Sequence, residues 1–181
     1  MKNLKPKSEY LEFRQSVFDA MKLRAKRLSF VHGAVVDIRA DDRILTLVSC
    51  YGGRTDIYVS NDAEYAHGKN EYEAVRNVTI SFLNKAEKLI SAFELTDDFS
   101  LDCEALENIF IFTKDGVYNY KITKDTVINK KGPIAFMQFL YKRILTEFVT
   151  AKSYSCMTRK CRKCLLGNLF GQCIIKKIVG K

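Results

Sequence analysis

Four cysteines near the C-terminus have the residue type and the close spacing that metal binding requires. Cys156, Cys161, Cys164 and Cys173 supply four thiolates, which is the number of ligands that a tetrahedral zinc site takes. Zinc sites usually combine two short Cys-x-x-Cys pairs, and only Cys161 and Cys164 form such a pair. A zinc-stabilised module that uses these four cysteines is therefore one hypothesis, and the sequence indicates no cofactor other than zinc.

A second group of chemically competent residues surrounds His67. Asp62, Glu64 and Tyr65 lie close to it in the polar stretch 61–68, and a histidine beside carboxylates can act as a general acid or base. A solvated loop has the same composition. The chain has no glycine-rich nucleotide motif and no phosphate-binding loop, and no spacing pairs a nucleophile with a base. We therefore predict a protein without catalytic residues, and a small enzyme centred on this loop is the alternative.

Positive charge is concentrated at the C-terminal end of the chain. The net charge is +9, and positions 151–181 contain eight Lys or Arg residues but no Asp or Glu. The 22 basic and 21 acidic residues upstream nearly cancel. This asymmetry predicts a globular domain over 1–150 and a separate basic, cysteine-rich tail over 151–181. It also argues against a nucleic-acid-binding face on the globular domain, because such a face would carry the excess charge itself.

The tail alternates basic and apolar residues in a pattern typical of surface-binding segments. Its central part places leucines and a phenylalanine on one helical face, with basic residues on both sides, and such segments bind anionic membrane surfaces. Packing on the body, packing across a homo-oligomer and metal binding remain alternatives. Nucleic acid is disfavoured because the tail offers one aromatic ring for base stacking beyond its basic cluster. The residues that we expect to bind a membrane or a partner are Arg159, Lys160, Arg162, Lys163, Leu165, Leu166, Leu169, Phe170, Lys176 and Lys177.

Hydrophobic periodicity predicts how the body is built. Residues 8–28 have a helical period with Tyr10, Phe13, Val17 and Met21 on one stripe, and Gly52-Gly53 and Asp115-Gly116 are typical hairpin turns. The order α-β-β-β-α-β-β-α predicts an α+β domain with an antiparallel five-stranded sheet and flanking helices. The predicted elements are a helix over 8–28, strands over 34–39, 44–51 and 55–60, a helix over 71–93, strands over 108–113 and 117–122, and a helix from 132 to about 148. The predicted apolar stripe of this last helix consists of Ile134, Met137, Leu140, Tyr141, Ile144, Leu145 and Phe148.

Four short motifs in the body occur in an order that resembles a known family. They are a Thr-x-x-Tyr-x-Ser strand at 55–60, Glu-x-Val-Arg at 73–76, Thr-Asp-Asp-Phe at 96–99 and an aromatic strand ending in Asp-Gly-Val at 117. The chain resembles an uncharacterised family of small bacterial α/β proteins, except that 61–68 replaces a glycine-rich loop. The resemblance implies a fold and no activity. The element order is also similar to roadblock and profilin-like scaffolds, which is an analogy of fold alone.

The N-terminus and the distribution of apolar residues bear on location. The first residues lack the apolar core of a signal peptide, and no apolar run is long enough to span a bilayer as a helix. We expect a cytoplasmic protein, with peripheral binding at the inner face of the membrane through the tail. The function that we predict is a non-enzymatic adaptor. Its body binds a protein partner, and its tail tethers it to a partner or a membrane surface.

Overall fold

The structure is a computed structural model that describes residues 6–25, 30–40, 43–60, 65–67, 72–126 and 132–158. These residues form an α+β fold, as predicted, in which helices cover both faces of one antiparallel sheet. The helices are α1 (Ser8–Ala25), α2 (Glu73–Lys88) and α3 (Pro133–Thr158), with a single 3₁₀ turn at Ile90–Ala92. The strands are β1 (Gly33–Ala40), β2 (Arg43–Cys50), β3 (Thr55–Val59), β4 (Tyr65–His67), β5 (Glu94–Thr96), β6 (Glu107–Thr113) and β7 (Gly116–Ile122).

The sheet is centred on β1 and has the order β4-β3-β2-β1-β6-β7-β5. The N-terminal meander β1-β2-β3 forms one half, and the β6-β7 hairpin joins β1 on its other side. β1 is buried on both faces, and its consecutive Val35 and Val36 are both fully buried. A strand that is covered on both sides favours such a continuous apolar run over strict alternation.

The prediction of five strands is wrong, because the described part of the chain contains seven. The two additional strands, β4 and β5, are three residues long and lie at the two edges of the sheet. β4 falls within the stretch predicted as a polar loop, and β5 follows a helix that ends at Lys88, short of the predicted end at residue 93. A three-residue strand is too short to show a period of two, so its formation depends on the neighbouring strand whose backbone groups it pairs.

Positive backbone φ angles confirm the predicted hairpin between β2 and β3. Gly52 and Gly53 have φ angles of +88° and +90°, a region that favours glycine because it has no Cβ. A Cβ at Gly53 would also lie 2.4 Å from Cγ of Arg76 on α2. The second glycine therefore allows the turn and the close approach of α2 at the same time.

Each face of the sheet carries its own hydrophobic cluster. α2 and α3 pack side by side on one face, where Phe82 and Tyr141 meet edge to face with ring centroids 5.9 Å apart. α1 and the segment 97–105 pack on the other face. There, Phe18 is fully buried and contacts the Phe110 ring edge to face at 4.9 Å. The apolar stripe of α3 predicted from the sequence is confirmed, since Met137, Tyr141 and Ile144 are completely buried.

A buried ion pair holds α1 against the sheet. Arg14 of α1 and Asp37 of β1 are each 5% exposed, and Nη2 of Arg14 donates to Oδ2 of Asp37 at 2.7 Å. Nη1 of the same guanidinium donates to the carbonyl oxygen of Phe99 at 2.5 Å, and the group stacks 4.4 Å from the Phe18 ring centroid. One side chain therefore joins a helix, the central strand and the covering segment.

Hydroxyl groups extend this ion pair along the face of the sheet. Thr46 of β2 donates to Asp37 at 2.6 Å, and its hydroxyl lies 2.5 Å from that of Tyr10 at the start of α1. Burial, and secondarily the negative charge of Asp37, raises the pKa of Tyr10 far above its usual range. The phenol therefore stays neutral and serves as a hydrogen-bonding anchor.

A second polar cluster attaches α3 to the opposite face. The carboxylate of Glu107, at the start of β6, accepts hydrogen bonds from the Tyr141 hydroxyl and from Gln138 and pairs with Lys142 at 3.1 Å. Burial, reinforced by the adjacent Glu107 carboxylate, raises the pKa of Tyr141. Three residues on one face of α3 thus converge on a single buried acid.

The last helix continues beyond the predicted limit of the globular domain. α3 spans 26 residues to Thr158, so a boundary at 150 falls inside a helix. No helix in the described part of the chain is long and apolar enough to cross a bilayer. Any truncation that removes the tail should therefore end after Thr158, where α3 is still complete.

Substitution of Arg14 tests the buried ion pair. We expect Arg14→Met to lower the free energy of unfolding by about 3–5 kcal/mol, because Asp37 is left as an uncompensated buried charge. Urea denaturation at neutral pH measures the change. Arg143→Met is the matched control: Arg143 is 53% exposed and pairs with Glu147 at 3.5 Å, so its loss should cost about 1 kcal/mol at most. Equal losses in the two variants would contradict a central role for Arg14.

Candidate functional site

The structure places His67, the centre of the predicted polar loop, in an edge strand. Tyr65 and His67 belong to β4, in which His67 pairs with Asp56 of β3 in the antiparallel register. The Asp56 carboxylate is 6% exposed and lies 3.1 Å from Nε of Arg54. Asp62 and Glu64 lie outside the described residues. The acid–base cluster therefore stays a prediction, while the backbone of its histidine has a defined place at the sheet edge, in register with Asp56.

The tail residues predicted to bind metal, membrane or partner fall almost entirely beyond the described part of the chain. Cys156 belongs to the last turns of α3, whereas Cys161, Cys164 and Cys173 lie outside the described residues. The same holds for all the basic and apolar tail positions from Arg159 to Lys177. Among residues 6–158 as far as they are described, no group of three His, Cys, Asp or Glu side chains is placed to hold a metal ion. Zinc binding by the tail stays a prediction.

His32 and Cys50 lie near the end of α1, where the Cys50 sulfur is 3.8 Å from the sulfur of Met21 and the charge of Arg24 acts on both residues. The backbone of His32 is fully used, since its N–H donates to Phe112 at 2.8 Å and its carbonyl accepts from Tyr51 at 2.7 Å. Both ring nitrogens are inaccessible and have no hydrogen-bond partner among the described residues. Burial, followed by the positive charge of Arg24, lowers the pKa of His32, and burial raises the pKa of the Cys50 thiol. A neutral imidazole and a neutral thiol favour a structural role for both.

Two stacked phenylalanines on α3 form an exposed aromatic pair on the described surface. Phe136 and Phe139 are 48% and 55% exposed, and their ring centroids lie 6.2 Å apart with the planes inclined by 22°. Nζ of Lys85 on α2 lies 5.4 Å from the centroid of the Phe136 ring, and Arg143 follows Phe139 by one helical turn. We call these four residues the aromatic patch.

The aromatic patch is positioned by the buried side of α3. Met137, Leu140, Tyr141 and Ile144 pack on the sheet, so positions 136, 139 and 143 face outward as the 3.6-residue period requires. Because the Glu107 cluster fixes Gln138 and Tyr141, the outward-facing rings are carried by a rigid element. Rigid aromatic side chains lose little conformational entropy on contact and are typical anchors of protein interfaces.

Sequence reasoning missed the aromatic patch because it searched for polar chemistry. Phe136 and Phe139 stand among the apolar residues of a helix that is rich in them, so their residue type does not set them apart. A signal exists in hindsight. A single buried face of α3 accounts for residues 137, 140, 141, 144, 145 and 148, and the two phenylalanines lie off that face.

No protein-family model, curated protein or solved structure matches this chain. The resemblance to a family of small bacterial proteins therefore stays a prediction. The contacts and charges of the described surface are the basis for the function proposed below.

The lowered pKa of His32 predicts a pH-dependent stability. The unfolded chain gains a proton on this residue as the pH falls through about 6.5, whereas the folded chain resists protonation, so acid favours the unfolded state. We expect the free energy of unfolding to fall between about pH 7.5 and about pH 5.5, and to fall less in His32→Leu. His67→Gln, which changes the other histidine of the chain, is the control. An unchanged slope in His32→Leu would show that other groups cause the effect.

Proposed function

We propose that this protein is a non-enzymatic adaptor whose body binds a protein partner through the aromatic patch. The tail tethers the complex to an anionic membrane surface. The observation that carries the proposal is the stacked, half-exposed pair Phe136 and Phe139 on the outer face of α3. Isolated apolar side chains on a surface need no explanation, but two stacked aromatic rings beside cations form a cluster of the kind that anchors interfaces.

The charges around the patch favour an acidic partner segment. Lys85 and Arg143 flank the two rings. Arg143 already pairs with Glu147 at 3.5 Å, whereas no ion pair joins Lys85 to another described residue. An acidic segment with apolar side chains would cover the rings and meet Lys85. A second copy of the same patch would bring like charges together, which disfavours a symmetric homodimer through this surface.

The engagement of the buried carboxylates supports a binding role over a catalytic one. Asp37 is held by Arg14 and Thr46, and Glu107 is held by Tyr141, Gln138 and Lys142. Their bonds join helices to the sheet, which is a structural use of charge. A general acid or base must reach the proton it transfers in a substrate, and neither acid faces the aromatic patch.

The composition of the tail supports the tether. Positions 151–181 contain eight basic and no acidic residues, with an apolar stretch between two basic clusters. Each Lys or Arg near an anionic leaflet contributes up to about 1 kcal/mol, and an apolar face adds to this. Because the aromatic patch is itself flanked by cations, the tail and the patch repel one another and are suited to different binding partners.

A photoreactive side chain in the aromatic patch tests the partner. With p-benzoylphenylalanine at position 139 of the full chain, irradiation in its own cells should yield a discrete adduct with a second protein. Thr150, which is exposed on the same helix, is the control position and should give about tenfold less adduct. Purified partner should then bind Phe136→Ala/Phe139→Ala at least about tenfold more weakly than the native chain, as expected for two anchor residues. Adducts only between copies of this chain would refute a separate partner.

Neutralisation of the first basic cluster tests the tether. We expect glutamine at positions 159, 160, 162 and 163 of the full chain to weaken co-sedimentation with anionic phospholipid vesicles by about 10- to 30-fold, even if each charge contributes only half of its maximum. The matched control changes Lys7, Arg76, Lys88 and Lys114 of the body, all of them exposed, to glutamine. Equal loss in both variants would indicate a nonspecific charge effect and contradict the tether.

A further inference from the structure

β5 forms one edge of the sheet and pairs with only part of the neighbouring strand β7. β5 pairs with Val117–Asn119 of β7 and leaves the end of β7 without a neighbour on that side among the described residues. A groove of about 490 Å³ lies where β7 extends past the short strand β5. Its lining includes Glu94, Leu95 and Thr96 of β5 and Asn119–Lys121 of β7. Leu95 is 65% exposed. We call residues 94–96 and 119–121 the stepped edge.

Three acids lie on the β5 side of the stepped edge, and the one cation of the edge, Lys121, is already paired. Glu94 lies in β5 itself, and Asp97 and Asp98 follow it directly. No ion pair joins these three acids to another described residue, whereas the nearby Asp102 pairs with Lys121 at 3.3 Å. Charged side chains of either sign protect a sheet edge from unwanted pairing. Carboxylates also favour the addition of a strand with basic residues over one without them.

The end of the chain has the chemistry that this edge would accept. Residues 174–179 read Ile-Ile-Lys-Lys-Ile-Val, and β-branched residues favour strands. In an extended strand, successive side chains point to opposite faces. Either face would therefore present one lysine between two β-branched side chains. The segment contains no acid, so it complements the edge in charge.

The length of the intervening chain allows the contact within one molecule. α3 ends at Thr158, and the fifteen residues 159–173 can extend to about 50 Å. This reach exceeds the diameter of about 40 Å expected for a domain of this size. A linker of this length also gives an effective concentration of the order of millimolar, which favours the contact within one chain over contact with another copy.

We infer that residues 174–179 add to the stepped edge of the same chain as an additional antiparallel or parallel strand beside β5. Backbone hydrogen bonds provide the affinity, and Lys176 and Lys177 meet Glu94, Asp97 and Asp98. Strand addition to an exposed edge is a general mode of peptide binding. The inference goes beyond the proposed adaptor function, because the docked segment withholds Lys176 and Lys177 from any membrane surface.

Hydrogen exchange of β5 tests this inference in the full chain. Those amides of residues 94–96 that do not already bond β7 should exchange at least about tenfold more slowly in the native chain than in Lys176→Glu/Lys177→Glu, because strand addition bonds the outward-facing groups of β5. The matched control, Lys160→Glu/Arg162→Glu, makes the same charge change nearer to α3 and should alter the exchange less than about twofold. Addition of Glu94→Lys/Asp97→Lys to Lys176→Glu/Lys177→Glu should restore the protection.

Three outcomes would overturn the inference. They are equal exchange in the native chain and Lys176→Glu/Lys177→Glu, equal loss of protection in the control, and protection that grows with protein concentration, which would assign the strand to another copy. The measurement needs neither vesicles nor a partner. A native chain that fails to bind vesicles but shows the protection would refute the tether and support the docked strand. A native chain that binds vesicles but lacks the protection would support the tether and refute the docked strand.

Discussion

The ion pair between Arg14 and Asp37 is the constraint on which the rest of the structure depends. It places a cation from α1 on the central strand, and the same cation holds the carbonyl of Phe99 in the segment that covers the neighbouring strands. A buried charge is costly unless it is paired and hydrogen-bonded, and here every element that packs on this face contributes a bond or a ring. Ion pairing and hydrogen bonds therefore hold the elements of this face together, in addition to the burial of apolar surface.

The opposite face follows the same principle with a different acid. Glu107 receives Tyr141, Gln138 and Lys142 from α3, so the rotation of this helix about its axis is fixed. That rotation determines which residues face outward, and it exposes Phe136 and Phe139. The candidate binding surface is thus a consequence of a buried polar contact on the other side of the same helix.

The two exposed features of the body differ in charge and therefore in the partners that suit them. The aromatic patch on α2 and α3 is flanked by Lys85 and Arg143, whereas the stepped edge carries Glu94 and Asp97. A basic tail is repelled by the first and attracted by the second. In the function and the inference proposed above, an acidic partner and the basic tail therefore bind different surfaces of the domain and do not compete.

Periodicity predicted most elements because each long element buries one continuous stripe. The α3 stripe and the Gly52-Gly53 hairpin were predicted correctly, since their signals lie within a few neighbouring residues. α1 was predicted less well. Of its predicted stripe, Tyr10 and Met21 are buried and Phe13 and Val17 pack at the margin of the core, but the side facing the sheet also contains Arg14 and Phe18. An arginine in a buried row contradicts any pattern based on hydrophobicity, and only its partner Asp37, 23 positions away in the sequence, makes that row stable.

The sequence by itself determined the α+β class, the order of the long elements and the concentration of positive charge after residue 150. These properties depend on local spacing and composition, which the chain carries whatever its fold. The tertiary structure alone decided the two short edge strands, the pairing of the buried charges and the exposure of Phe136 and Phe139. Each of these depends on contacts between residues far apart in the sequence. A three-residue strand has no local signature, and the stacking of two exposed rings beside a cation from another helix has none either, because these environments are created by the neighbours that folding brings together.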